Sequence, residues 1–428
     1  MRTAIRDAWI VTQNSQREII RGDLIIEDDL IVSVGPVGLE ADREIDASGD
    51  VVMPGMINTH GHSAMAVMKG SVDDLSFPDF LDRVFEVDSD RSREDILMGS
   101  KLGCLEMIRS GTTTFVDLYY DEDVIAEAVS EAGIRGVLCW CVLDEQFTTQ
   151  KGSPLENCKR FCETHRDMRK VIPGVGLQGV YVCGEETCIE AAAYAREEDL
   201  VLHMHLSETR GEVYEHKRKT GMRPAEWLDS IGVLAENFLG AHAAWLTQRE
   251  VRMLGQAGAS ISSCPGSNMK LATGGVVALP EMLEHGVNVS LGTDGSSTNN
   301  SLDMFEEMKL FGLLQKSSRW DATIAPAQLL LDICTINGAR ALGLEKKTGS
   351  LEPGKWADVI ILDGKAANLR PLLLDNVVSN IAYSSSGQNV KTVFCQGDLI
   401  MQNRKVLTLG EEAVLAEAES CWRQLCQR

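Results

Sequence analysis

Hydrophobic positions along the chain repeat with two different periods. Over the first fifty residues they alternate in short runs, Ala8-Trp9-Ile10-Val11, Asp23-Leu24-Ile25-Ile26-Glu27 and Ile31-Val32-Ser33-Val34-Gly35, separated by Gly and Asp turns. This pattern predicts a small antiparallel sheet. The same period returns at 357–362 and 390–397, so the two ends of the chain are expected to share one β domain. Between them, short apolar runs alternate with amphipathic segments, as βα units around a parallel sheet do. Eight candidate strands fall at 51–57, 112–117, 136–142, 173–182, 200–205, 237–242, 259–263 and 287–293. Helical patterns fill 95–110, 124–132, 185–196, 248–257 and 278–284, and helices at 302–317 and 324–342 are expected to close the structure. Eight such units favour a (β/α)8 barrel over an open doubly wound sheet. No Gly-x-Gly-x-x-Gly fingerprint follows the first strand to argue otherwise.

Composition narrows the chemistry. The chain has 428 residues, 41 Lys plus Arg against 63 Asp plus Glu, and a net charge of -22, the wrong sign for gripping nucleic acid or an anionic membrane. Small-molecule chemistry is expected instead. The N-terminus carries no apolar signal-like stretch and no run reaches the 18 or so apolar residues of a membrane span, so a cytoplasmic protein is expected. The 12 Cys form no C-x-x-C pair and sit in apolar runs such as Val137-Leu138-Cys139-Trp140-Cys141-Val142, which reads as reduced, mostly buried thiols.

Barrel enzymes place chemistry at the C-terminal ends of their strands. The first expected strand runs into "MPGMINTHGH", with His60 and His62 two residues apart; the fifth carries His203 and His205 with Glu208 following; the sixth ends at His242 and the eighth at Asp294. Five of the 8 His therefore fall on strand ends. In an extended segment residues i and i+2 point the same way, so His60 and His62 can converge. Three imidazoles and a carboxylate suit one divalent ion, Zn2+ first and Fe2+ second, with a position left for water. The fourth strand ends without a Lys that could bridge two metals. His205 is favoured as the third imidazole because Glu208 follows it into the site, leaving His203 one layer deeper as a core residue. Glu208 and Asp294 are the candidate proton carriers, with His242 orienting the nucleophile. His165, His216 and His285 have no partner at ligand spacing and read as surface residues.

With these positions assembled, the chain resembles the amidohydrolase superfamily, in the branch holding the 5'-methylthioadenosine and S-adenosylhomocysteine deaminases and the triazine chlorohydrolases. The resemblance runs nearly end to end: "MPGMINTHGH", "SGTTTFVD" at 110–117, "HMHLSET" at 203–209, "GAHAAWLT" at 240–247, "CPGSNMKL" at 264–271, "LGTDGSSTNNSLDM" at 291–304 and "GSLEPGKWADVIILD" at 349–363. It implies metal ligands at His60, His62, His205 and Asp294, a proton-shuttling and substrate-contacting Glu208, a water-side His242 and a general base in Asp294. It implies a metal-dependent TIM barrel over 55–349 and a composite β-sandwich domain from 1–54 and 350–428.

Three departures bear on substrate. Gln178 stands where deaminases of this branch have a purine-contacting His. Trp140 stands where they can carry an Arg. The expected ribose-binding Glu has Asp88 or Asp90 as its nearest counterpart. A pocket with fewer cations and an added indole favours a flatter, less anionic ligand. The segment from Lys69 to Arg93 is expected to form a lid or rim, with Phe77, Phe80 and Phe85 as packing or stacking residues, and in relatives it can meet a neighbouring subunit of a homo-oligomer. The expected reaction is hydrolytic deamination of an adenosine-like nucleoside. In it Asp294 takes the water proton, Glu208 protonates the ring nitrogen and ammonia leaves past His242. The rival is an amino- or chlorohydrolase of another N-heterocycle, such as a triazine, pyrimidine or pterin. A non-catalytic scaffold is the remaining alternative, disfavoured by the intact ligand set.

Overall fold

The computed structural model describes residues 1–36 and 38–428. Eight parallel strands, Met56–Asn58, Thr112–Tyr119, Arg135–Val142, Val171–Leu177, Leu202–Leu206, Phe238–His242, Ser260–Ser263 and Asn288–Leu291, pair in sequence order. They form a nearly closed (β/α)8 barrel. Among the described residues the ring has no continuous ladder between its first and last strands. Instead Thr59 N–H donates to the Leu291 carbonyl at 2.9 Å and Asp294 N–H to the His60 carbonyl at 3.0 Å. Gly61–His62 and Asp294–Gly295 then pair in parallel. Gly292 permits this approach, because a Cβ there would lie 2.6 Å from the His60 Cβ. Side chains alternate along each strand as the pleat requires. Val137, Cys139 and Cys141 join Val116, Leu118 and Leu239 inside the barrel, while Leu138, Trp140 and Val142 pack outward under the helices. Ala339, Leu342 and Leu344 close the interior.

Two strand boundaries differ from the sequence pattern. The apolar run at 51–57 is split at Gly55: Val51–Pro54 belongs to a second sheet and only Met56–Asn58 to the barrel. A Cβ at Gly55 would sit 2.1 Å from Thr113 Oγ1, so the chain can turn there only without a side chain. The fourth strand stops at Leu177, and the apolar residues up to Val182 line a turn rather than extend it. Helices Arg93–Arg109, Glu122–Ala132, Glu185–Glu197 and Gln248–Ala257 lie where the amphipathic patterns place them. The 324–342 pattern is two helices, Ala327–Ile333 and Ile336–Ala341.

The second sheet has nine strands drawn from both ends of the chain. Val51–Pro54 is its junction, hydrogen-bonded to Arg2–Val11 on one side and to Val359–Leu362 on the other. Alternation again sorts the faces: Val52, Val359 and Ile361 join Ile10, Ile26, Ile31 and Phe394 in a core of the sheet's own, whereas Val51, Met53, Ile360 and Leu362 pack toward the barrel. Ile31 and Phe394 lie near opposite ends of the strand order, and Gln396 reaches Asp29, so the sheet curls over that core. The last helix, Glu411–Leu425, leaves the sheet and packs on Arg93–Arg109. With the lid helix Phe77–Ser89 it encloses Phe80, Val84, Ala418, Cys421 and Leu425.

A buried ion pair ties the two sheets together. Arg135, on the third barrel strand and fully buried, meets the Asp358 carboxylate at 2.5 and 3.3 Å. It also donates to Thr114 and Gln396 and stacks over Trp356 with 4.3 Å to the ring centroid. Removing one partner leaves a buried charge unpaired. Asp358→Ala is therefore expected to lower stability by about 3–5 kcal/mol, read from the midpoint of urea unfolding.

Candidate active site

Five imidazoles and two carboxylates meet at the C-terminal end of the barrel. His60 and His62 follow the first strand, His203 and His205 share one face of the fifth, His242 closes the sixth, and Asp294 lies just beyond the eighth. His60, His203, His242 and Asp294 are almost wholly buried. The backbone bends sharply to deliver them: φ is +47° at Ser207, +68° at His242 and +61° at Asp294. Left-handed conformations cost a non-glycine residue about 1–3 kcal/mol and persist only where the surroundings enforce them.

Hydrogen bonds on the far side of each ring fix its tautomer. His62 Nδ1 faces the Leu118 carbonyl at 2.7 Å and His205 Nδ1 faces the Gln178 carbonyl at 2.7 Å. Carbonyls only accept, so both Nδ1 atoms carry the proton, and in the neutral rings both Nε2 atoms are left with bare lone pairs. His203 Nδ1 likewise donates to the Leu239 carbonyl at 2.8 Å, which makes its Nε2 the acceptor for His60 Nδ1, also at 2.8 Å. The His60 Nε2 is therefore bare too, and it has no hydrogen-bond partner among the described residues although fully buried. Asp294 Oδ1 lies 3.2 Å from His62 Nε2 and 3.5 Å from His60 Nε2. Electron pairs facing one another with no proton between them fit a cation, and His60, His62 and Asp294 can each offer it an atom, as can His60, His205 and His242.

Electrostatics sorts the roles. Burial holds the imidazoles of His60 and His205 well below their ordinary pKa, the neutral state a ligand needs. At His62 burial acts the same way, but the Asp294 carboxylate outweighs it and raises the pKa. Burial pushes the Asp294 carboxyl up, yet the adjacent imidazoles of His60 and His62 more than offset this and hold it well below the carboxylate range. Its Oδ2 accepts from Ser267 Oγ at 2.6 Å and its Oδ1 from Gly295 N–H at 2.7 Å. His242 stands 3.9 Å from Glu208 and 4.0 Å from Asp294. These two charges outweigh its burial and raise its pKa. Burial raises the Glu208 carboxyl, with His242 opposing.

The cluster opens into a cavity of about 820 Å³ under the lid helix. Gln178 and Asp88 line it together with Phe77, Phe80 and Phe85. Gln178 Oε1 accepts from Cys141 Sγ at 3.3 Å and its Nε2 donates to Tyr181 Oη at 3.1 Å. Asp88 accepts from the hydroxyls of Tyr119 and Tyr120 and from Arg91, pinning the end of the lid helix to the barrel rim, whereas Asp90 is exposed. Trp140 is a correction. Its ring packs outward on Phe161, and its Nε1 donates to Gln150 at 2.8 Å. Strand alternation makes Cys141, not Trp140, the residue that lines the cavity. His216 is a second correction, since it is buried edge-on against Trp227 rather than exposed; His165 and His285 are partly buried.

Several site residues escaped the sequence reading. Glu212 accepts from the N–H groups of Ser207 and Glu208 at 3.0 and 2.8 Å and so holds the turn that presents Glu208. Burial and the charge of Glu208 raise its pKa to about 7. The Thr209-Arg210-Gly211-Glu212 spacing, a helix-capping signature, was its available signal. Ser267 and Asn268, the latter accepting from His242 Nδ1 at 3.0 Å, stand in the "CPGSNMKL" stretch, where nothing local marks them.

Comparisons with known proteins agree with this geometry. The amidohydrolase family pattern matches residues 51–400. A 5'-deoxyadenosine deaminase of Methanothermobacter thermautotrophicus is 40% identical over 412 residues, 95% of each chain. A 5-methylthioadenosine/S-adenosylhomocysteine deaminase of Desulforudis audaxviator is 37% identical over 434 residues, with both chains fully covered. The crystal structure of an adenosine deaminase from Xanthomonas campestris with bound zinc superimposes with a TM-score of 0.96 at 27% identity, covering 100% of this chain and 99% of that one.

Two outcomes follow from the tautomer chain. His60→Ala is expected to abolish retention of a divalent ion, read by elemental analysis of the purified protein. His203→Phe removes the acceptor that orients His60 and is expected to weaken metal affinity about 10- to 100-fold, read by competition with a chelator.

Proposed function

The chain belongs to the amidohydrolase family, and from that premise we propose that it is a metal-dependent deaminase of an adenosine-like nucleoside. The observation that supports the reading is that His60 stands within ligand distance of His62 and Asp294 on one side and of His205 and His242 on the other, beneath a cavity of about 820 Å³ lined also by Glu208. The names of relatives sharing about 40% identity over nearly the whole chain support the same substrate class over a triazine, pyrimidine or pterin.

The proposed ligands are His60, His62, His205 and Asp294, for one ion, zinc before iron. When bound, such an ion makes hydroxide available at neutral pH and polarises the attacked centre. The protein's residues do the rest. Asp294, kept ionised and aimed by Ser267 and Gly295, takes the proton of the attacking water. Glu208, whose carboxyl pKa burial pushes upward, gives a proton to the ring nitrogen beside the attacked carbon. Proton transfers of this kind contribute about 100- to 10,000-fold in rate. His242, flanked by both acids, stabilises the oxygen added to that carbon. Asp294 then passes the water proton to the amine, the added hydroxyl returns its proton to Glu208, and the carbon–nitrogen bond breaks to release ammonia and leave a carbonyl in place of the amine. Gln178 faces the heterocycle, and Asp88, which has spare acceptor capacity beside its three donors, faces the ribose hydroxyls.

Ammonia release across a panel of 5'-deoxyadenosine, 5'-methylthioadenosine, adenosine, a triazine, a pyrimidine and a pterin tests the reading. Turnover confined to the adenosine derivatives is expected; turnover of the triazine with none of the nucleosides overturns it. Glu208→Gln is expected to lower kcat by about 100-fold or more with bound metal unchanged, and an unaltered kcat removes Glu208 from its role.

A further inference from the structure

The far wall of the cavity has a chemistry that the reaction does not use. The amino-bearing carbon and the 5' carbon of an adenosine-like nucleoside lie at opposite ends of the molecule. With the amine over Glu208, His242 and Asp294, the 5' substituent points toward the lid. The apolar lining there includes Phe77, Phe80, Val84 and Phe85 from the helix Phe77–Ser89, and the cavity is also lined by Leu143 and Phe147. Of the acidic lining residues, Glu208, Glu212 and Asp294 belong to the amine end, which leaves Asp88, on the lid helix itself, and Glu215. Among the described residues that line the cavity there is no arginine, and the one lysine, Lys219, stands exposed beside Glu215. Thr148 and Thr149 offer neutral hydroxyls, and Gln150 is already committed to Trp140 and to the Cys141 carbonyl.

We propose that this cavity selects the 5' substituent by charge, accepting short neutral groups such as methyl or methylthio and rejecting any that carries a carboxylate or phosphate. This rests on the adenosine-nucleoside reading above. A neutral alkyl or thioether tail gains from burial against aromatic rings, which favour contact with sulfur. An anionic tail must give up its water with no cation but the exposed Lys219 to replace it, beside the carboxylate of Asp88. The ammonium of a zwitterionic tail finds acidic partners, but its carboxylate finds none, so the zwitterion fails through its anionic end. The protein's net charge of -22 opposes anionic ligands in the same sense during approach.

The test is kcat/KM for the metal-loaded enzyme on 5'-deoxyadenosine, 5'-methylthioadenosine, S-adenosylhomocysteine and adenosine 5'-monophosphate. The two neutral substrates are expected to exceed S-adenosylhomocysteine by about 100-fold, the scale on which an apolar pocket rejects an added polar group, with no turnover of the monophosphate. S-adenosylhomocysteine within tenfold of 5'-methylthioadenosine overturns the proposal while leaving the deaminase reading intact; failure of every adenosine derivative overturns both. Phe147→Arg places a cation at the far wall on an exposed turn and is expected to narrow the ratio of 5'-methylthioadenosine to S-adenosylhomocysteine at least tenfold. An unchanged ratio in a variant that still deaminates 5'-methylthioadenosine counts against the proposal.

Discussion

Lone pairs that face one another with no proton to share repel, and the barrel mouth is arranged to hold four such groups together. The rings of His60, His62 and His205 each spend their N–H on an acceptor behind them, so in their neutral state the remaining nitrogens offer Asp294 no proton. A cation would relieve that repulsion, and His60, His62 and Asp294 lie close enough to share one, as do His60, His205 and His242. The remaining features of the mouth either enforce this confrontation or exploit it. The backbone of His60 is bonded to that of Asp294, Gly292 is small enough to lie against His60, and Asp294 is held in a left-handed conformation.

Around that centre a second layer supplies direction rather than chemistry. His203 sets the tautomer of His60, Asn268 orients His242, Ser267 aims Asp294, and Glu212 holds the turn bearing Glu208. Each of these residues lies on a different element from the group it orients, or a turn beyond it. The geometry is thus a property of the closed barrel and not of any single loop. The two-sheet scaffold contributes by fixing the first barrel strand. Val51–Pro54 is locked between both ends of the chain, and Arg135 and Asp358 bind that sheet to the barrel wall. The lid is anchored in its turn by Asp88 through Tyr119 and Tyr120 and by the apolar contact with the terminal helix.

Much of this was legible in the chain. Alternating and helical periods located eight barrel strands and most helices, because a strand between two apolar layers and a helix with one apolar face leave different spacings in sequence. The His60 and His62 pair, His205, Glu208, His242 and Asp294 could be singled out because parallel barrels put strand ends on one face, so residues hundreds of positions apart become neighbours by topology alone. The division at Gly55 was not legible, since Val51–Pro54 and Met56–Asn58 are equally apolar and differ only in the sheet that receives them.

What the sequence determined by itself was therefore the inventory and its order: which elements form, which face of each is apolar, and which polar residues stand at strand ends. What only the tertiary structure decided was direction. Trp140 and Cys141 are adjacent, and the pleat sends one to the helix layer and the other to the cavity. His203 and His205 share a face, and depth in the barrel makes one a support and the other a candidate ligand. The charge of the far wall, likewise, exists only once the lid helix is laid over the strand ends. Composition and period are local sums along the chain, whereas proton direction, depth and enclosure depend on which distant atoms the fold places opposite.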